Sequence, residues 1–533
     1  MTKTFKRIAD RLVNSPRRLW GVSFLLFVVL GSAWSLSTPM GGSPDEYAHL
    51  VRAAAVARGQ VNGTEVMVKH QVAGMDGQFA ETGVQLPEWY RELSSRHTCY
   101  AFQQWQSADC APPLGTSEKT VEVTTAAGRY NPLYYAVVGW PSLLVSGEPG
   151  LYLMRLVSAV FCAALLASAV VAAAEWRRRG IMIAGLLAAL TPTTLYMGGM
   201  VNPSGPEIAA GVLVWSAALP MFMAPDRALL NRRLLRLGIG GLVLINIRPL
   251  GLVWFAGAVV CSLLLTQRSA VRMVVRTRAT WLWGLLLLAG TGVAMAWAMA
   301  HPDHSVIQIP DWFTPLNAAR RTFDNSLVYI HQMIGDFGWL DTPAPAITWL
   351  LWPAAIILLI LLALCFGRPR QAFVVLAIMV ALVLVPVAAQ ASQATKIGMV
   401  WQGRYLLPFM VGLPMAAAAV AALRVPSGGL PWRRLIGWMA LTLTVANVAA
   451  FVWTLRRNTV GTAGAFFIHP AHWSPPGSWL LWLLAYGLGA TGLAVIALAG
   501  DRTPPAPAPT PHPPVDGERV LRRADDRRAT PVG

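Results

Sequence analysis

Long apolar runs alternate with short polar links along almost the whole chain. Each run holds roughly 20 residues, which is the length that a helix needs to cross a bilayer. The pattern predicts an all-α integral membrane protein with about 12 transmembrane helices, within a range of about 10–13. The predicted spans lie at about residues 20–37, 151–174, 180–200, 205–223, 235–248, 249–266, 280–299, 346–366, 371–389, 405–423, 434–454 and 477–499.

The links between the runs divide the chain into three regions. Residues 1–19 form an N-terminal segment, and residues 20–500 form the transmembrane domain. Two links in that domain, at about residues 38–150 and 300–345, are much longer than the others. Residues 501–533 are rich in proline and charge with almost no apolar side chains, so they are expected to form a disordered tail.

The distribution of charge predicts the orientation. The chain carries a net charge of +18, and most of its 43 lysines and arginines lie in the terminal segments or in the short links on the side of the N-terminus. The positive-inside rule therefore makes both termini cytoplasmic and the two long links exoplasmic. Short basic links beside anionic lipid headgroups explain this charge, so nucleic acid is not an expected partner.

The segment GGSPDEYAHLVRA follows the first apolar run directly and predicts the start of a helix. Ser43 is expected as the N-cap, Pro44 at the first helical position and Glu46 at the third, which together would close a capping box. This structural explanation accounts for Ser43, Pro44 and Glu46 without any catalytic role.

Three ionisable residues of the same segment share one helical face. Asp45, His49 and Arg52 are spaced by four and then three residues, and apolar neighbours indicate that the helix is packed. A carboxylate that accepts a proton, beside an imidazole that orients it, is a general-base arrangement. The candidate catalytic residues are therefore Asp45, Glu46 and His49, and Arg52 is a candidate for substrate binding.

Two of the five cysteines lie together in the first long link. Cys99 and Cys110 are expected to form a disulfide, because an exoplasmic compartment is oxidising. Two free thiols are the alternative, and neither arrangement has the spacing of a metal site.

Five short motifs occur in one order along the chain: SPDEYAHLVRA, YNPLYYAVVG, MVNPSGPEIAAG, GDFGWLDTPAP and QGRYLLP. Together they resemble an uncharacterised bacterial polytopic membrane family, domain of unknown function 2142, whose members are similar to GT-C glycosyltransferases. The resemblance spans about residues 20–460. It implies a GT-C-like fold in the bacterial plasma membrane, with amphipathic helices in a large first exoplasmic loop.

The resemblance also implies a reaction. GT-C enzymes use a polyprenyl-phosphate-linked sugar as donor on the exoplasmic face, and Asp45 occupies the position of their acidic base or acceptor-orienting residue. The expected partners are this donor, membrane lipids and a cell-envelope glycan, lipid or protein acceptor. Some GT-C enzymes use a divalent cation and others use none, so Mg²⁺ or Mn²⁺ stays an open alternative and no cofactor is assigned.

Transfer from a lipid phosphate needs cations to hold the departing phosphate. The candidates near the outer ends of spans are Arg155, Arg248, Lys396 and Arg404. Arginine binds phosphate in a fork geometry, although snorkelling to the headgroups is the alternative explanation, above all for Arg155.

The remaining candidates bind substrate. Asp336 and Asp341 alternate with aromatic residues such as Trp339, which suits a sugar, although an interfacial aromatic belt explains the same pattern. Asn202 and Glu207 flank a tight turn, and turn chemistry accounts for Asn202 about as well as binding does. The motifs add four further candidates: Tyr134, Tyr135, Gln402 and Tyr405.

Two other classes of function remain open. A transporter or flippase of an envelope precursor also has about 12 spans, but it is expected to carry broken helices or charges at mid-membrane. A non-catalytic envelope-assembly scaffold needs neither Asp45 nor arginines at the outer rim. The sequence favours the glycosyltransferase because its charged residues gather at that rim.

Overall fold

The computed structural model of the chain describes residues 13–72, 75–266, 268–426, 430–466 and 468–500. The described part is mostly helical, with a small antiparallel sheet in the first long link. The predicted disordered tail at 501–533 and most of the N-terminal segment lie outside the described residues.

The helices are numbered in chain order. Those of the first half are α1 (Pro16–Ser37), α2 (Glu46–Ala57), α3 (Pro132–Gly139), α4 (Gly147–Ala174), α5 (Arg179–Ala189), α6 (Pro192–Gly198), α7 (Ser204–Met223), α8 (Leu230–Ile247) and α9 (Gly251–Leu264). Those of the second half are α10 (Arg268–Val275), α11 (Arg278–Ala300), α12 (Pro315–Asp324), α13 (Ser326–Gly335), α14 (Ala346–Phe366), α15 (Pro369–Ile397), α16 (Leu407–Met410), α17 (Gly412–Arg424), α18 (Trp432–Val460) and α19 (Trp479–Gly500). Short 3₁₀ helices lie at Glu88–Ser94, Ala108–Cys110, Trp140–Leu143 and Gly403–Tyr405.

Within the described ranges, nine helices are long and apolar enough to cross a membrane, with α16 and α17 forming one of them. The protein is therefore a multi-pass membrane protein. The pair α5 and α6 is bent by 70° and would make a tenth span. Helices α8 and α9 occupy the two predicted spans on either side of Arg248, but α9 has only 14 residues and α8 is basic in its first half. The expected total of about 12 is not confirmed.

The bend between α5 and α6 follows from its sequence. Pro192 takes the first position of α6, where its missing N–H costs nothing, and the side chain of Thr191 caps the new helix by accepting the N–H of Thr194. Thr191 also donates its hydroxyl to the carbonyl oxygen of Met333 in α13, over 2.7 Å. The break thus joins the first half of the helical domain to the second long link.

The first long link contains a small antiparallel sheet as well as helices, so the protein is mostly helical rather than all-α. The strands are β1 (Thr64–Val72), β2 (Met75–Pro87), β3 (Thr120–Thr125) and β4 (Val306–Ile307). Strand β2 pairs antiparallel with the other three. In β1 the half-buried Val66 and Val68 alternate with exposed Glu65, Met67 and Lys69, which is the period of a strand with one covered face. Strands β5 (Asp336–Phe337) and β6 (Thr342–Pro343) form a separate hairpin.

A hydrophobic cluster fixes α2 between the sheet and the membrane helices. Leu50 of α2, Leu86 of β2, Tyr135 of α3 and Met154 of α4 are all buried in it. Burying each such side chain is worth about 1.5–3 kcal/mol. The start of α2, where Asp45 lies, is therefore held by packing on several sides.

Candidate functional site

Asp45 immediately precedes α2 and has an unusual backbone. Its φ is 62° and its ψ is 0°, in the left-handed region, and its side chain makes no capping hydrogen bond to α2. Such a conformation costs a non-glycine residue about 1–3 kcal/mol and is concentrated at functional sites. The predicted capping box is wrong, because the helix begins at Glu46 with Asp45 rather than Ser43 as its N-cap.

Glu46 is not free to close that box, because it binds Arg155 of α4. Both side chains are fully buried, and Arg155 donates two hydrogen bonds to the Glu46 carboxylate, one of them from Nε over 2.7 Å. Arg155 also donates to the carbonyl oxygens of Ser35, Thr38 and Pro39. The pair therefore joins the end of α1 to the start of α2, and the candidate catalytic role of Glu46 and phosphate-binding role of Arg155 gain no support from this geometry.

Asp45 instead faces Arg404, which lies in the 3₁₀ turn before α16. The two side chains form an ion pair in which Arg404 is 3% exposed and Asp45 is 48% exposed. Among the described residues, Nε and Nη1 of Arg404 are buried without a hydrogen-bond partner. The Arg404 guanidinium therefore keeps unused donors beside a carboxylate that is open to incoming groups.

Arg248 supplies a second guanidinium near Asp45. It lies between α8 and α9, and its charged group stands 4.8 Å from the ring centroid of Tyr405 and 5.6 Å from that of Tyr130. Its Nε is 3.8 Å from a carboxylate oxygen of Glu207, which is too long for a hydrogen bond, and that Nε is buried without a partner in the described part of the chain. Glu207 thus lies beside Arg248 without occupying its donors.

The charges around Asp45 set its protonation state. Burial acts to raise the pKa of Asp45, but the guanidinium groups of Arg404 and Arg248 outweigh it and hold the pKa below its ordinary value of 3.8. Asp45 is therefore an ionised carboxylate at neutral pH.

His49 lies one turn along α2 and is neutral. Burial lowers the pKa of His49 to about 3, although Asp45 opposes this shift. Its Nδ1 is 2.9 Å from the hydroxyl of Tyr135. The structure thus brings Asp45 and His49 together, as the predicted helical face requires.

Arg52, the third residue of that face, is used by the fold. It donates to the carbonyl oxygens of Val61 and Tyr130, over 2.6 and 3.0 Å. Arg52 therefore positions Tyr130, whose ring contacts both Arg248 and His49. Tyr134 is also structural here, since its hydroxyl pairs with that of Ser158 inside the protein.

A group of three aromatic side chains, Tyr47, His97 and Trp339, also lies near Asp45. His97 stacks on Trp339 with centroids 4.1 Å apart, and Tyr47 lies nearly parallel to both rings. Asp341 does not point into this group, because it accepts hydrogen bonds from the backbone N–H groups of Trp339 and Phe102 and pairs with Arg457. It therefore holds the surrounding loops together.

The other predicted site residues lie in different environments. Asn202 donates to the carbonyl oxygen of Pro44 over 3.1 Å and so supports the turn before Asp45. Gln402, two residues before Arg404, has a buried Oε1 without a partner in the described residues. Burial and the nearby Asp341 raise the pKa of Asp336 to about 7. Lys396 is exposed at the end of α15 and does not approach this group in any contact of the described chain.

An apolar cavity of about 510 Å³ opens beside Arg248. Its walls come from the α8–α9 junction, the residues before α3 and the last turns of α11. Its lining includes Tyr130, Arg248, Thr291, Ala294 and Trp297. Helix α11 has no buried residue along its length, so the cavity lies beside a helix whose outer faces are open to lipid.

The donor set does not fit a metal ion. Among the described residues, no group of three or more His, Cys, Asp or Glu side chains is arranged to hold one. The neighbours of Asp45 are guanidinium groups rather than the oxygen ligands that Mg²⁺ and Mn²⁺ prefer. The mechanism below uses no metal-dependent step.

Cys99 and Cys110 form a disulfide, with their Cα atoms 6.1 Å apart. Sequence reasoning missed Tyr47, Tyr130 and His97 as members of the site. The motifs SPDEYAHLVRA and YNPLYYAVVG contain both tyrosines, but an aromatic side chain gives no signal in the sequence that separates binding from packing.

Comparison with known proteins gives a family match and one structural similarity. The family model described as predicted membrane protein (DUF2142) matches residues 26–413. No curated protein matches the sequence. The crystal structure of ArnT from Cupriavidus metallidurans bound to undecaprenyl phosphate is similar to this chain with a TM-score of 0.36 and 13% identity, covering 90% of this chain and 77% of that one. At that TM-score the similarity carries no argument about the reaction.

Proposed function

We propose that this chain, which belongs to the DUF2142 family of predicted membrane proteins, is a membrane glycosyltransferase. It transfers a sugar from a polyprenyl-phosphate-linked donor to a cell-envelope acceptor. The reaction takes place on the exoplasmic face of the bacterial plasma membrane, and both termini are cytoplasmic. The distribution of lysine and arginine supports this orientation.

One observation carries the proposal: two buried arginines beside the open Asp45 carboxylate keep unpartnered donors. A buried donor without a partner costs roughly 1–3 kcal/mol, and more when it is charged. Arg248 and Arg404 both have such donors among the described residues. A phosphate group has several charged oxygens that accept hydrogen bonds from guanidinium groups, so it would satisfy both arginines at once.

The apolar cavity supports a lipid-linked donor rather than a soluble one. It begins at Arg248 and is walled by α11, whose other faces are exposed. A phosphate held by Arg248 would leave its polyprenyl chain in this apolar space. A soluble nucleotide sugar would find few polar partners there.

The proposed step uses Asp45 as the base. Asp45 takes the proton of an acceptor hydroxyl, and the acceptor oxygen attacks the anomeric carbon of the donor sugar. The bond from that carbon to the phosphate oxygen breaks, and the lipid phosphate leaves with the electron pair. Arg248 and Arg404 stabilise the charge that develops on the phosphate.

The ion pair between Asp45 and Arg404 connects binding to this chemistry. The pKa of Asp45 is low partly because of Arg404, so on its own Asp45 is a weak base. A donor phosphate that draws Arg404 toward itself weakens the ion pair and makes Asp45 more basic. His49, which is neutral, stays beside Asp45 without competing for Arg404.

The test is the release of polyprenyl phosphate from a panel of polyprenyl-phosphate sugars by purified protein. We expect turnover with at least one donor, and a loss of roughly 100-fold or more in kcat/KM for Arg248→Gln and Arg404→Gln. Arg320→Gln is the matched control, because Arg320 is an exposed arginine on α12.

The same assay separates the transferase from the flippase. A flippase binds the donor and loses that binding in both arginine variants, but it leaves the bond between sugar and phosphate intact. Binding of every donor without cleavage would therefore contradict the proposal.

A further inference from the structure

We propose that the acceptor is a carbohydrate, bound on an aromatic platform formed by Tyr47, His97 and Trp339 beside Asp45. This inference rests on the proposed function and names the acceptor class that it leaves open. None of the three platform residues lines the apolar cavity, so donor and acceptor would reach Asp45 by separate routes.

The three rings come from three separate parts of the chain. Tyr47 belongs to α2, His97 follows the 3₁₀ helix after β2, and Trp339 lies in the hairpin between β5 and β6. The ring centroid of Tyr47 is 5.8 Å from that of His97 and 6.3 Å from that of Trp339, with interplanar angles of 16° and 24°. All three side chains are half-buried. A packed core would bury such a group completely, so part of this surface is available to a ligand.

The platform is held rigidly. The indole N–H of Trp339 donates to the carbonyl oxygen of Gly41 over 2.9 Å. The Asp341 carboxylate accepts from the backbone N–H groups of Trp339 and Phe102, over 3.1 and 2.7 Å, and Arg457 holds it from the other side at 3.0 Å. Asp341 is therefore a positioning residue for the platform. Rigid placement of rings reduces the entropy that binding must overcome.

The backbone around the platform is strained in the same way as Asp45. The other non-glycine residues with positive φ in the described part of the chain are Phe102 and Leu340, each at 62°. Both flank the hydrogen bonds of Asp341, and Phe102 presents a ring that is 68% exposed and 6.2 Å from Trp339. Strain of this kind persists only where the surrounding structure imposes it.

The platform offers neutral groups, which favours a sugar over a charged ligand. Burial lowers the pKa of His97 to about 4, although Asp45 opposes this shift. Burial, with Asp45 and Glu81, raises the pKa of Tyr47 to about 12. At neutral pH the imidazole is therefore uncharged and the phenol keeps its proton. The Nδ1 of His97 is also buried without a partner in the described residues.

A carbohydrate matches these features. Its C–H groups carry a small positive charge and pack on the electron-rich faces of aromatic rings. Its hydroxyl groups donate to and accept from neutral partners such as Tyr47 and His97. The charge of Asp45 acts on both Tyr47 and His97, so the carboxylate lies near the platform and a sugar bound there can present one hydroxyl to the base.

The experiment compares the wild type with Trp339→Ala, Trp339→Phe and Trp438→Ala. Trp438 is the matched control, since it is 66% exposed on the apolar helix α18. Two rates are measured with an active donor: its hydrolysis without acceptor, and transfer to a panel of oligofuranosides and oligopyranosides. A peptide and a diacylglycerol lipid serve as acceptors of other classes.

We expect Trp339→Ala to raise the KM for the oligosaccharide roughly tenfold, as for loss of one stacking ring. The donor KM should change far less than the oligosaccharide KM, Trp339→Phe should restore most of the acceptor affinity, and Trp438→Ala should resemble the wild type. Transfer to the peptide or the lipid alone, or an oligosaccharide KM that Trp339→Ala leaves unchanged, would overturn the inference while leaving the proposed function in place.

Binding can also be measured without catalysis. Saturation-transfer NMR with the same oligosaccharides should show contact with the wild type and not with Trp339→Ala. If the protein cleaves no donor, the proposed function is contradicted. In that case, NMR contact that is present in the wild type and absent in Trp339→Ala would still support the platform. Absence of contact between the wild type and every oligosaccharide would overturn it.

Discussion

At the scale of single residues, the site is defined by side chains that the fold leaves without partners. Arg248 and Arg404 are almost completely buried, yet each retains unsatisfied donors within the described chain. Arg155 is equally buried, but the Glu46 carboxylate and three carbonyl oxygens accept its hydrogen bonds. Arg457 keeps one buried nitrogen without a partner in the described residues, although it pairs with Asp341. An unpartnered nitrogen therefore points to a ligand site only together with a position beside Asp45, and Arg248 and Arg404 have both.

The shifted pKa values predict a pH profile. Asp45 acts as an ionised base, and its pKa lies below 3.8, so kcat/KM should fall only as the pH drops below about 4. His49 has a pKa of about 3 and adds no step near its usual value of 6.5. The rate of transfer should therefore stay nearly flat from about pH 7 to pH 5, measured with saturating acceptor in buffers of constant ionic strength.

Asp336 provides the control for that profile. Its pKa is raised to about 7, so its own titration falls inside the flat range. A step near pH 7 that Asp336→Asn removes belongs to Asp336 and leaves the assignment of Asp45 intact. A step near pH 7 that persists both in Asp336→Asn and in Glu207→Gln, which removes the buried carboxylate beside Arg248, would contradict the low pKa of the base.

The sequence identified part of the site and missed another part for a physical reason. The sequence predicts Asp45 from its helical face and from the resemblance, and Arg248 and Arg404 from their positions near the outer ends of spans. Glu46 was a candidate from the same segment as Asp45, and Arg155 from its place near the outer end of a span. Only three-dimensional packing reveals that these two saturate each other, because the residues are far apart along the chain.

At the scale of elements, the buried pair of Glu46 and Arg155 connects α1, α2 and α4. The Glu46 carboxylate accepts from Arg155 and from the backbone N–H of Val201, and Arg155 reaches three carbonyl oxygens at the end of α1. The turn that carries Asp45 lies between these contacts. The pair therefore fixes the site without taking part in the reaction.

Breaking this pair should destabilise the protein. Arg155→Met leaves a buried carboxylate unpaired, at a cost of about 3–5 kcal/mol, whereas Arg155→Met combined with Glu46→Gln leaves no buried charge and should recover part of that loss. The measurement is the apparent unfolding temperature in detergent. A single variant as stable as the wild type would contradict the structural role of the pair, and Arg320→Met is the control for loss of an arginine.

The sheet in the first long link was not predicted from the sequence. Alternating valines in β1 and the β-branched residues of β3 have the period of a strand. The first long link was nevertheless expected to contain amphipathic helices, because that expectation came from the resemblance and not from the local period. Helices α2 and α3 do lie at its two ends.

At the scale of the whole molecule, the arrangement of helices creates the cavity beside Arg248. Each predicted span overlaps at least one helix of the structure, because long apolar runs are a strong signal. Nine of these helices meet the length and composition of a span, and the bent pair makes a tenth. Helices α8 and α9 do not meet that length and composition, because the Arg248-Pro249 junction there belongs to the site and interrupts the apolar run.

Filling the cavity should impair use of a long-chain donor. Ala294 of α11 lines the cavity, and Ala294→Trp would occupy part of its 510 Å³. We expect the KM for a long polyprenyl-phosphate sugar to rise roughly tenfold, and the KM for a two-isoprene analogue to change less, since less apolar surface is lost.

Leu288→Trp is the control for the cavity variant. Leu288 lies on the same helix and is 69% exposed, so a tryptophan there should leave both KM values unchanged. Equal effects of Ala294→Trp on the long and the short donor would contradict the assignment of the cavity to the lipid chain.

The most direct test of the central claim is turnover by Asp45→Asn. Transfer of labelled sugar from polyprenyl-phosphate donors is measured for the purified wild type, for Asp45→Asn and for Asp324→Asn, which changes an exposed carboxylate of α12. The account predicts transfer by the wild type and by Asp324→Asn, and a loss of roughly 100- to 10,000-fold in kcat for folded Asp45→Asn. Transfer by Asp45→Asn at the rate of the wild type would contradict it.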